Sequence, residues 1–389
     1  MGKKKIAVVF GTRPDTIKMA PIILELQKYP EQFDVLNIAT AQHRQMLDQV
    51  LEVFKIRSSY DLDIMAPRQT LSGLTAKIIT GLDKIFEDEK PDMVLVQGDT
   101  STTCIGSLAA FYHQIPVGHI EAGLRTNDKA NPFPEEINRR ITSCIADLHF
   151  APTETARQSL LKENISPSSI FVTGNTVIDA LRYSVKSNYE FSLPVLNSIV
   201  GEGKKIVLIT MHRRENWGEP MAGACNAVKR LARKYPDFRF VFPVHLNPVV
   251  REVVYPILQD LPNVSLIEPL DYLDFVNLMA KSYLLFTDSG GVQEEGPHFG
   301  IPILVLRLVT ERPEAVNSGT VKLVGLDEEN IYNTATTLIE NKAEYDKMAN
   351  AVNPYGDGLS SERTIRIISY YFGMSDATVD EFVPIIKKV

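Results

Sequence analysis

The chain has 389 residues, which is more than one hydrophobic core usually holds and favours two domains. Its composition is globular, and its net charge of −7 argues against a general binder of nucleic acid or anionic membranes. Three widely spaced cysteines (Cys104, Cys144 and Cys225) provide neither a disulfide framework nor a zinc cluster. No apolar segment approaches the roughly 20 residues that cross a bilayer, and the N-terminus reads as a first strand and not as a signal peptide. We therefore expect a soluble, cytoplasmic protein.

Short β-branched segments alternate with amphipathic stretches along the first half of the chain. This alternation is typical of a parallel sheet with helical crossovers. The predicted strands are 6–10, 35–40, 93–97, 117–120 and 148–150, and the predicted helices are 17–28, 45–54, 71–89, 101–113 and 134–145. We expect a first domain over residues 1–186 and an interdomain region over 187–205.

The second half of the chain repeats this plan. The predicted strands are 206–210, 238–243, 264–267, 284–288, 303–306 and 321–324. We expect a second domain over 206–359, and a C-terminal segment, 360–389, whose helix (360–372) packs back on the first domain. The predicted fold class is α/β, with two Rossmann-like, doubly wound domains facing each other across a cleft. Such folds bind ligands at the carboxyl ends of their strands, so the active site is expected in that cleft.

Residues 288–295, DSGGVQEE, follow a predicted strand at the point where a helix is expected to begin. A Ser-Gly-Gly turn leaves backbone N–H groups uncovered there, which suits phosphate oxygens. Glu294 and Glu295 are expected in the first helical turn, where they can accept hydrogen bonds from a ribose diol. The competing interpretation is an ordinary strand-to-helix turn, for which this sequence is equally suitable. The DSGG of chymotrypsin-like proteases is disfavoured, because that fold is all-β.

Polar residues also collect directly after the other predicted strands, at residues 11–14 with Lys18, and at 41–44, 97–100, 119–125, 212–216 and 245. Clustering at strand ends is typical of a ligand site in a parallel sheet. Arg13 and Lys18 are about one helical turn apart and can both reach one diphosphate, although a solvated basic pair has the same spacing.

Asp99, Glu121 and Glu135 are carboxylates at adjoining strand or loop ends, as proton abstraction and return require. The competing interpretation for Asp99 is a helix N-cap, and for Glu135 it is a helix first turn. His212 is either a proton donor, a diphosphate ligand or a merely hydrogen-bonded histidine.

Several motifs of other enzyme classes do not occur in the chain. No GxGxxG follows a strand, and no GxxxxGK[ST], HExxH or GxSxG is present. We therefore expect no nicotinamide or flavin cofactor and no metal. The remaining chemistry is transfer or rearrangement of a nucleotide-linked group.

Ten segments occur in a recognisable order: GTRPDTIKMAP, TAQHRQMLDQ, QGDTSTT, GHIEAGLRT, PFPEEINRR, TGNTVIDA, HRREN, PVHLNP, DSGGVQEE and TERPEA. Together they resemble the non-hydrolysing UDP-N-acetylglucosamine 2-epimerase family over essentially the whole chain. The resemblance implies two Rossmann-like domains arranged as in GT-B glycosyltransferases, and a homodimer. It also implies interconversion of UDP-GlcNAc and UDP-ManNAc without metal or nicotinamide.

The resemblance further assigns roles to individual residues. In this family UDP is eliminated to give 2-acetamidoglucal and is then added back. Asp99, Glu121 and Glu135 match the acid/base group, and His212 matches the catalytic histidine near the diphosphate. The positions that match contacts to the nucleotide sugar are Arg13, Lys18, Phe275, Ser289, Gly290, Gly291, Glu295 and Arg312.

Bacterial members of the family also bind a second UDP-GlcNAc as an allosteric activator. The residues that match or lie near this region are Gln42, His43, Gln45, Arg68, Glu135, Arg213 and His245.

One departure from the family pattern precedes TERPEA, where an Arg-Asp-Thr sequence is common and this chain has Arg307, Leu308, Val309 and Thr310. The expected product supplies ManNAc for cell-surface polysaccharides, and no nucleic-acid or membrane partner is expected.

Three other functions are compatible with parts of this sequence. A hydrolysing 2-epimerase releases ManNAc and UDP after the same elimination. A GT-B glycosyltransferase transfers the sugar to an acceptor, but three clustered carboxylates are unusual for simple transfer. A catalytically silent UDP-sugar sensor is favoured only by Leu308 and Val309.

Overall fold

The computed structural model describes residues 2–40, 44–65, 69–310, 312–376 and 380–384, with only the backbone of residues 44–46. The described residues form two compact units. The first contains the chain up to Tyr183 together with Tyr355–Val383, and the second contains Ser184–Pro354. Each unit is built on one parallel sheet flanked by helices, which confirms the predicted α/β class with two Rossmann-like domains.

The first unit has a seven-stranded sheet in the order β3-β2-β1-β4-β5-β6-β7, with every strand pair parallel. Its strands are β1 (Lys4–Phe10), β2 (Phe33–Ala39), β3 (Tyr60–Asp61), β4 (Met93–Gln97), β5 (Val117–Ile120), β6 (Leu148–Ala151) and β7 (Ile170–Val172). Its first seven helices are α1 (Arg13–Leu26), α2 (Arg44–Phe54), α3 (Leu71–Glu89), α4 (Ser101–Tyr112), α5 (Glu135–Ile145), α6 (Glu154–Lys162) and α7 (Thr176–Ser184).

The second unit has a six-stranded parallel sheet in the order β10-β9-β8-β11-β12-β13. Its strands are β8 (Lys205–Thr210), β9 (Phe238–Pro243), β10 (Val264–Ile267), β11 (Leu284–Thr287), β12 (Ile303–Val305) and β13 (Val321–Leu323). Its helices are α8 (Pro194–Gly201), α9 (Glu219–Lys234), α10 (Pro248–Leu258), α11 (Tyr272–Ala280), α12 (Gly290–Glu295), α13 (Pro313–Ser318), α14 (Glu328–Glu340) and α15 (Lys342–Ala349). Short 3₁₀ turns occupy Pro167–Ser169, Arg214–Asn216 and Gly296–Phe299.

The central strands of both sheets are buried on both faces. Residues 6–10 of β1 and 206–209 of β8 are continuous apolar runs with almost no exposed surface. Parallel sheets need such runs because helices cover both sides. The strand order reverses between β1 and β4 in the first unit and between β8 and β11 in the second. Each switch point leaves a crevice at the carboxyl ends of the strands in its own sheet.

Some elements differ from those predicted. Strands β3 and β7 and helix α6 were not predicted; β3 and β7 are only two and three residues long, too short for a clear alternating pattern. Helix α1 begins at Arg13 and not at residue 17, because Pro14 fits a helix first turn. The predicted interdomain region contains α8, which belongs to the second unit. The predicted division of roles between the domains stays a prediction.

The last helix, α16 (Ser360–Tyr371), belongs to the first unit and packs on α1. Asp179 of α7 is buried and holds its N-terminus. The Asp179 carboxylate accepts hydrogen bonds from the Ser360 amide at 3.2 Å and from the Ser361 amide and hydroxyl at 2.7 and 2.6 Å. These bonds satisfy N–H groups that a helix start leaves without an intrahelical partner. Among the described helices, none combines the length and apolar character that a bilayer crossing requires.

A short segment after α16 covers the edge of the first sheet. The Phe382 amide donates to the Val172 carbonyl at 2.8 Å, and the Val172 amide donates to the Glu381 carboxylate at 3.1 Å. The Phe382 ring is only 5% exposed and packs in a small core with Leu160 and Ile170. The segment therefore adds both backbone pairing and apolar burial to edge strand β7.

Replacing Phe382 by Ala should lower the free energy of unfolding of the first unit by about 3 kcal/mol, because it removes a buried aromatic ring. The measurement is urea unfolding followed by far-UV circular dichroism. Val383→Ala is the matched control, since Val383 is 70% exposed and its loss should have almost no effect. Equal stabilities of the two variants would show that the segment does not contribute to the core.

Candidate active site

The loop after β1 is held by a buried carboxylate. Oxygens of Asp15 accept hydrogen bonds from the Gly11 amide at 3.1 Å, the Thr12 amide at 2.6 Å and the Thr16 amide at 2.9 Å. The Thr12 hydroxyl donates to the same carboxylate at 2.7 Å. Only glycine fits at position 11, because an added Cβ would lie 2.2 Å from the Thr40 hydroxyl oxygen. These contacts fix the loop that leads into Arg13, the first residue of α1.

Burial raises the pKa of Asp15 from its ordinary value of 3.8 to about 6, while the hydrogen bonds from Thr12, Gly11 and Thr16 oppose this increase. The carboxyl is therefore ionised at neutral pH and becomes protonated only a little below it.

Asp99 follows β4 and is paired with a cation of α5. Arg139 donates to the Asp99 carboxylate at 2.6 Å, and the Asn138 side chain donates to the Asp99 carbonyl at 2.9 Å. The N-cap of α4 is Thr100, which accepts from the Thr103 amide, so the N-cap interpretation of Asp99 is wrong. The Asp99 side chain keeps 26% of its surface exposed, which leaves it accessible to a ligand.

Glu136 holds the loop between β5 and α5. Its carboxylate is fully buried and accepts hydrogen bonds from the amides of Thr126 at 2.9 Å and Asn127 at 3.1 Å. Arg139 lies 3.2 Å from the same carboxylate, so it bridges Glu136 and Asp99. Burial alone would raise the pKa of Glu136, but these amides and Arg139 outweigh burial and keep the pKa below its ordinary range.

Glu121 follows β5, the strand next to β4, and adopts a left-handed backbone conformation with φ of 62°. Such a conformation is uncommon for a residue other than glycine and is often found at functional sites. Its carboxylate is paired with Lys18 and accepts from the Asn175 side chain at 3.2 Å. A Cβ added to Gly98 would lie 4.0 Å from Glu121 Oε1, so Glu121 lies close to the turn that carries Asp99.

His119 supports the same turn from within the sheet. Burial lowers the pKa of its imidazole to about 3, so the ring is neutral. Its Nε2 lies 2.8 Å from the Gly98 carbonyl oxygen, which assigns the ring proton to Nε2. Gly98, the residue before Asp99, has a φ of 70°, a left-handed conformation that glycine adopts at little cost.

Glu135 and Glu136 both lie in the first turn of α5, as the structural interpretation of Glu135 predicted. Their environments nevertheless differ. One carboxylate oxygen of Glu135, Oε2, is buried and has no hydrogen-bond partner in the described part of the chain. Buried polar atoms are normally paired, so an unpaired carboxylate oxygen at this place suits contact with a ligand.

In the second unit, Asp288 follows β11 and holds the loop after β8. Its Oδ2 accepts from the amides of His212 and Arg213 and from the Asn216 side chain, each at 2.9 Å. His212 Nδ1 lies 3.1 Å from Asp288 Oδ1. The His212 ring is also stacked on His245, with 6.2 Å between ring centroids. The residues predicted separately after β8, β9 and β11 are therefore neighbours.

The Ser-Gly-Gly turn follows Asp288 and lies beside Arg312. A Cβ added to Gly290 would lie 3.6 Å from the guanidinium carbon of Arg312. Helix α12 has only six residues, and Glu294 and Glu295 lie at its end, so their predicted place in its first turn is wrong. Glu294 is buried and accepts from Arg312 at 2.7 Å, which positions this guanidinium over the turn.

The remaining predicted residues divide into three groups. Phe275 is partly buried on α11, and Glu295 is partly buried at the end of α12. Leu308 and Val309 are exposed by 85% and 71%, next to Thr310, which donates to Gln293 at 2.6 Å. Gln42, His43 and Arg68, predicted for the activator region, lie outside the described residues, as does the side chain of Gln45.

The sequence patterns assigned no individual role to several residues that organise these sites. They are Asp15, His119, Glu136, Arg139, Asn175 and Asp288. All six lie inside the recognised segments, but several of their partners are distant in sequence, such as Asp99 for Arg139 and Glu121 for Asn175. Within the described part of the chain, no three His, Cys, Asp or Glu side chains are grouped in a way that could hold a metal ion.

Asp15 predicts a specific pH dependence of stability. Its folded pKa of about 6 exceeds the ordinary 3.8, so the stabilisation from its bound proton is full below about pH 4 and lost as pH rises through about 6. Relative to Asp15→Asn, which does not titrate, the wild-type free energy of unfolding should fall by about 3 kcal/mol across this window.

Urea unfolding at several values between about pH 4 and about pH 7 measures this difference. Asp34→Asn is the control, because Asp34 is exposed on β2. A pH-independent difference between wild type and Asp15→Asn would contradict the burial argument.

Comparison with known proteins agrees with this geometry. The family model described as UDP-N-acetylglucosamine 2-epimerase matches residues 25–369. The UDP-N-acetylglucosamine 2-epimerase of Bacillus subtilis strain 168 is 56% identical over 382 residues, covering 98% of this chain and 99% of that protein. A crystal structure of a UDP-N-acetylglucosamine 2-epimerase has a TM-score of 0.92 and 54% identity, and covers 98% of this chain and 100% of that one. The Neisseria meningitidis UDP-GlcNAc 2-epimerase, solved with bound UDP-GlcNAc, has a TM-score of 0.84 and 51% identity, and covers 94% of this chain and 100% of that one. This chain therefore belongs to the UDP-N-acetylglucosamine 2-epimerase family.

Proposed function

We propose that this protein interconverts UDP-GlcNAc and UDP-ManNAc by eliminating UDP and adding it back, without hydrolysis. Family membership supports the substrate class. The observation that carries the mechanism is the placement of Asp99 and Glu121 at the ends of adjacent strands, each paired with a cation. Two carboxyl groups on neighbouring strands can provide the base that removes the C2 proton and, when protonated, the acid that returns one.

The C2 proton of the sugar is next to no carbonyl group, so its direct removal as a free carbanion has a very high barrier. In the proposed elimination, a base takes this proton while the electron pair of the C2–H bond forms the C1=C2 double bond. The C1–O bond breaks at the same time, and its electron pair leaves with UDP. The reverse step adds the diphosphate oxygen to C1 and a proton to C2 on the opposite face. The elimination and the addition together change no oxidation state overall, so the reaction needs no external oxidant.

The first unit supplies the proton-transfer groups in this proposal. Arg139 and Lys18 orient the side chains of Asp99 and Glu121, because each contacts its carboxylate within hydrogen-bonding distance. Glu135 is the third member of the acid/base group, and its unpaired oxygen supports contact with the sugar. Arg13 is expected to contact the nucleotide sugar from the loop that Asp15 holds.

The second unit binds UDP in this proposal. The turn formed by Ser289, Gly290 and Gly291 receives the diphosphate, and Arg312 lies against this turn. His212 contacts the same group. Positive charge at these positions stabilises the negative charge that develops on UDP as the C1–O bond breaks. Glu295 and Phe275 are expected to contact the ribose and the uracil.

Activation by a second UDP-GlcNAc and assembly as a homodimer stay predictions. The activator proposal gains support from Arg213 and His245, because both contact the group that includes His212 and Asp288. The use of the product as a source of ManNAc for surface polysaccharides is likewise a prediction from family resemblance.

Proton NMR of the purified protein with UDP-GlcNAc in D₂O tests the reaction directly, with no added metal or nicotinamide. We expect UDP-ManNAc to appear and deuterium to enter C2 of both epimers, because the proton removed from C2 exchanges with solvent. Accumulation of free ManNAc and UDP would instead assign the hydrolysing reaction. Bound but unchanged UDP-GlcNAc would support the sensor.

Asp99→Asn should lower kcat by at least about 100-fold, because an amide cannot exchange a proton as the carboxyl does, while UDP binding is largely retained. The readouts are initial rates of epimerisation and UDP titration by calorimetry. Asp88→Asn is the control, since Asp88 is an exposed carboxylate on α3. Wild-type turnover by Asp99→Asn would remove Asp99 from the acid/base group.

A further inference from the structure

We propose that Asp288 is the positioning residue for His212. It fixes the ring orientation and keeps the proton on Nδ1, so that Nε2 is the atom presented to the diphosphate. This inference rests on the proposed function for its catalytic consequence, but the tautomer itself is a property of the protein alone.

The first step is that Asp288 is rigid. It has no exposed surface, and its Oδ2 receives three hydrogen bonds at 2.9 Å, from the His212 and Arg213 amides and the Asn216 side chain. The Asp288 carbonyl oxygen also accepts from Arg213 Nε at 2.9 Å. A carboxylate with this many donors has one orientation, so its other oxygen has a fixed direction.

The second step concerns the free oxygen of Asp288. Oδ1 is buried and receives no amide, hydroxyl or guanidinium donor from the described residues. His212 Nδ1 lies 3.1 Å away and forms the only ion-pair contact described for this carboxylate. An unpaired buried carboxylate oxygen is costly, so the imidazole N–H is the donor that satisfies it.

The third step follows from the chemistry of the two groups. An ionised carboxylate only accepts hydrogen bonds, so Nδ1 must carry a proton. In the neutral ring Nε2 is then an acceptor, and in the imidazolium both nitrogens donate. Burial would raise the pKa of Asp288, but hydrogen bonds from His212 and the backbone amides outweigh burial and keep the pKa below its ordinary range. The carboxylate therefore stays ionised near neutral pH.

The other groups around the ring define its electrostatic surroundings. His245 stacks on the His212 ring with an interplanar angle of 25°, and Arg213 is bonded to Asp288 from the same loop. The Trp217 indole N–H lies 3.3 Å from the His212 carbonyl. The His212 side chain keeps 45% of its surface exposed, so a ligand can reach it. Asp288 is the anion in direct contact with the ring, and the Glu215 carboxylate lies 3.9 Å from the Arg213 guanidinium.

The consequence for the reaction concerns the leaving group. As UDP leaves C1, Nε2 can donate a hydrogen bond to a diphosphate oxygen once the ring has taken a second proton from solvent, and the Asp288 carboxylate then stabilises the charged ring. When UDP is added back to C1, this hydrogen bond breaks. His212 forms no covalent bond to the sugar at any point. Asp288 touches neither sugar nor diphosphate in this scheme and acts through the ring.

Asp288→Asn tests the inference because it conserves shape. The amide oxygen can still accept from the His212 and Arg213 amides and from Asn216, while its NH₂ group then faces Nδ1. An NH₂ group donates, so the neutral ring must carry its proton on Nε2 instead. We expect kcat to fall about 100-fold, with KM for UDP-GlcNAc changed by less than about threefold.

The structural readout is the ¹⁵N–¹H long-range NMR spectrum of protein labelled at histidine, with the His212 signals assigned by their loss in His212→Gln. The wild-type spectrum should show the Nδ1–H tautomer, and the Asp288→Asn spectrum should show the Nε2–H tautomer. Asn216→Ala is the matched control, because it removes one donor to Oδ2 but keeps the carboxylate beside the ring. It should keep the wild-type tautomer, and its kcat should stay within about threefold.

An Nε2–H tautomer in the wild type would overturn the inference without any variant, even if Asp288→Asn did not fold. The inference would also be overturned if Asp288→Asn folds and has the same His212 tautomer and the same kcat as the wild type. The proposed function fails separately, if the wild type does not epimerise UDP-GlcNAc. In that case the spectra still decide whether Asp288 positions the ring.

Discussion

The parallel pairing of β1 with β4, and of β8 with β11, is the constraint on which both candidate sites depend. At each of these pairs the strand order reverses, so the helices that follow the two strands leave in opposite directions. In each sheet, a crevice therefore remains at the carboxyl ends of these two strands. In the first unit the loops at this edge carry Arg13 and Asp99, and in the second unit the loops at the corresponding edge carry His212 and Asp288. The strand order of each sheet therefore fixes where the candidate site residues lie, independently of the contacts that their side chains make.

Buried carboxylates hold the loops that follow β1, β5 and β8. Asp15, Glu136 and Asp288 are almost completely buried, and each accepts hydrogen bonds from at least two backbone amides. Removing an anion from water is costly, and several N–H donors offset much of that cost. Each loop then has one conformation with a polar side chain, such as Arg13 or His212, at its surface. Rigid loops of this kind keep reacting groups in place without support from a ligand.

The positions of the candidate site residues could be predicted because local sequence marks the ends of strands. Their partners could not. Lys18 was expected to lie with Arg13 on a diphosphate, but it is paired with Glu121, which is 103 positions away in sequence. Asp99 is bonded to Arg139, 40 positions away. Glu294 and Glu295 were placed in a helix first turn, yet α12 ends at Glu295, since the chain turns into a 3₁₀ segment at Gly296.

The sequence by itself determined the α/β class, the order of most strands and helices and the family, because hydrophobic periodicity and ordered motifs are local properties of the chain. It also determined which polar residues follow each strand. Only the tertiary structure decided which of these residues are neighbours, which carboxylates are paired with cations and which histidine nitrogen faces Asp288. Such contacts join residues on different strands and loops, and the distances and burial that set their charge do not exist in the unfolded chain.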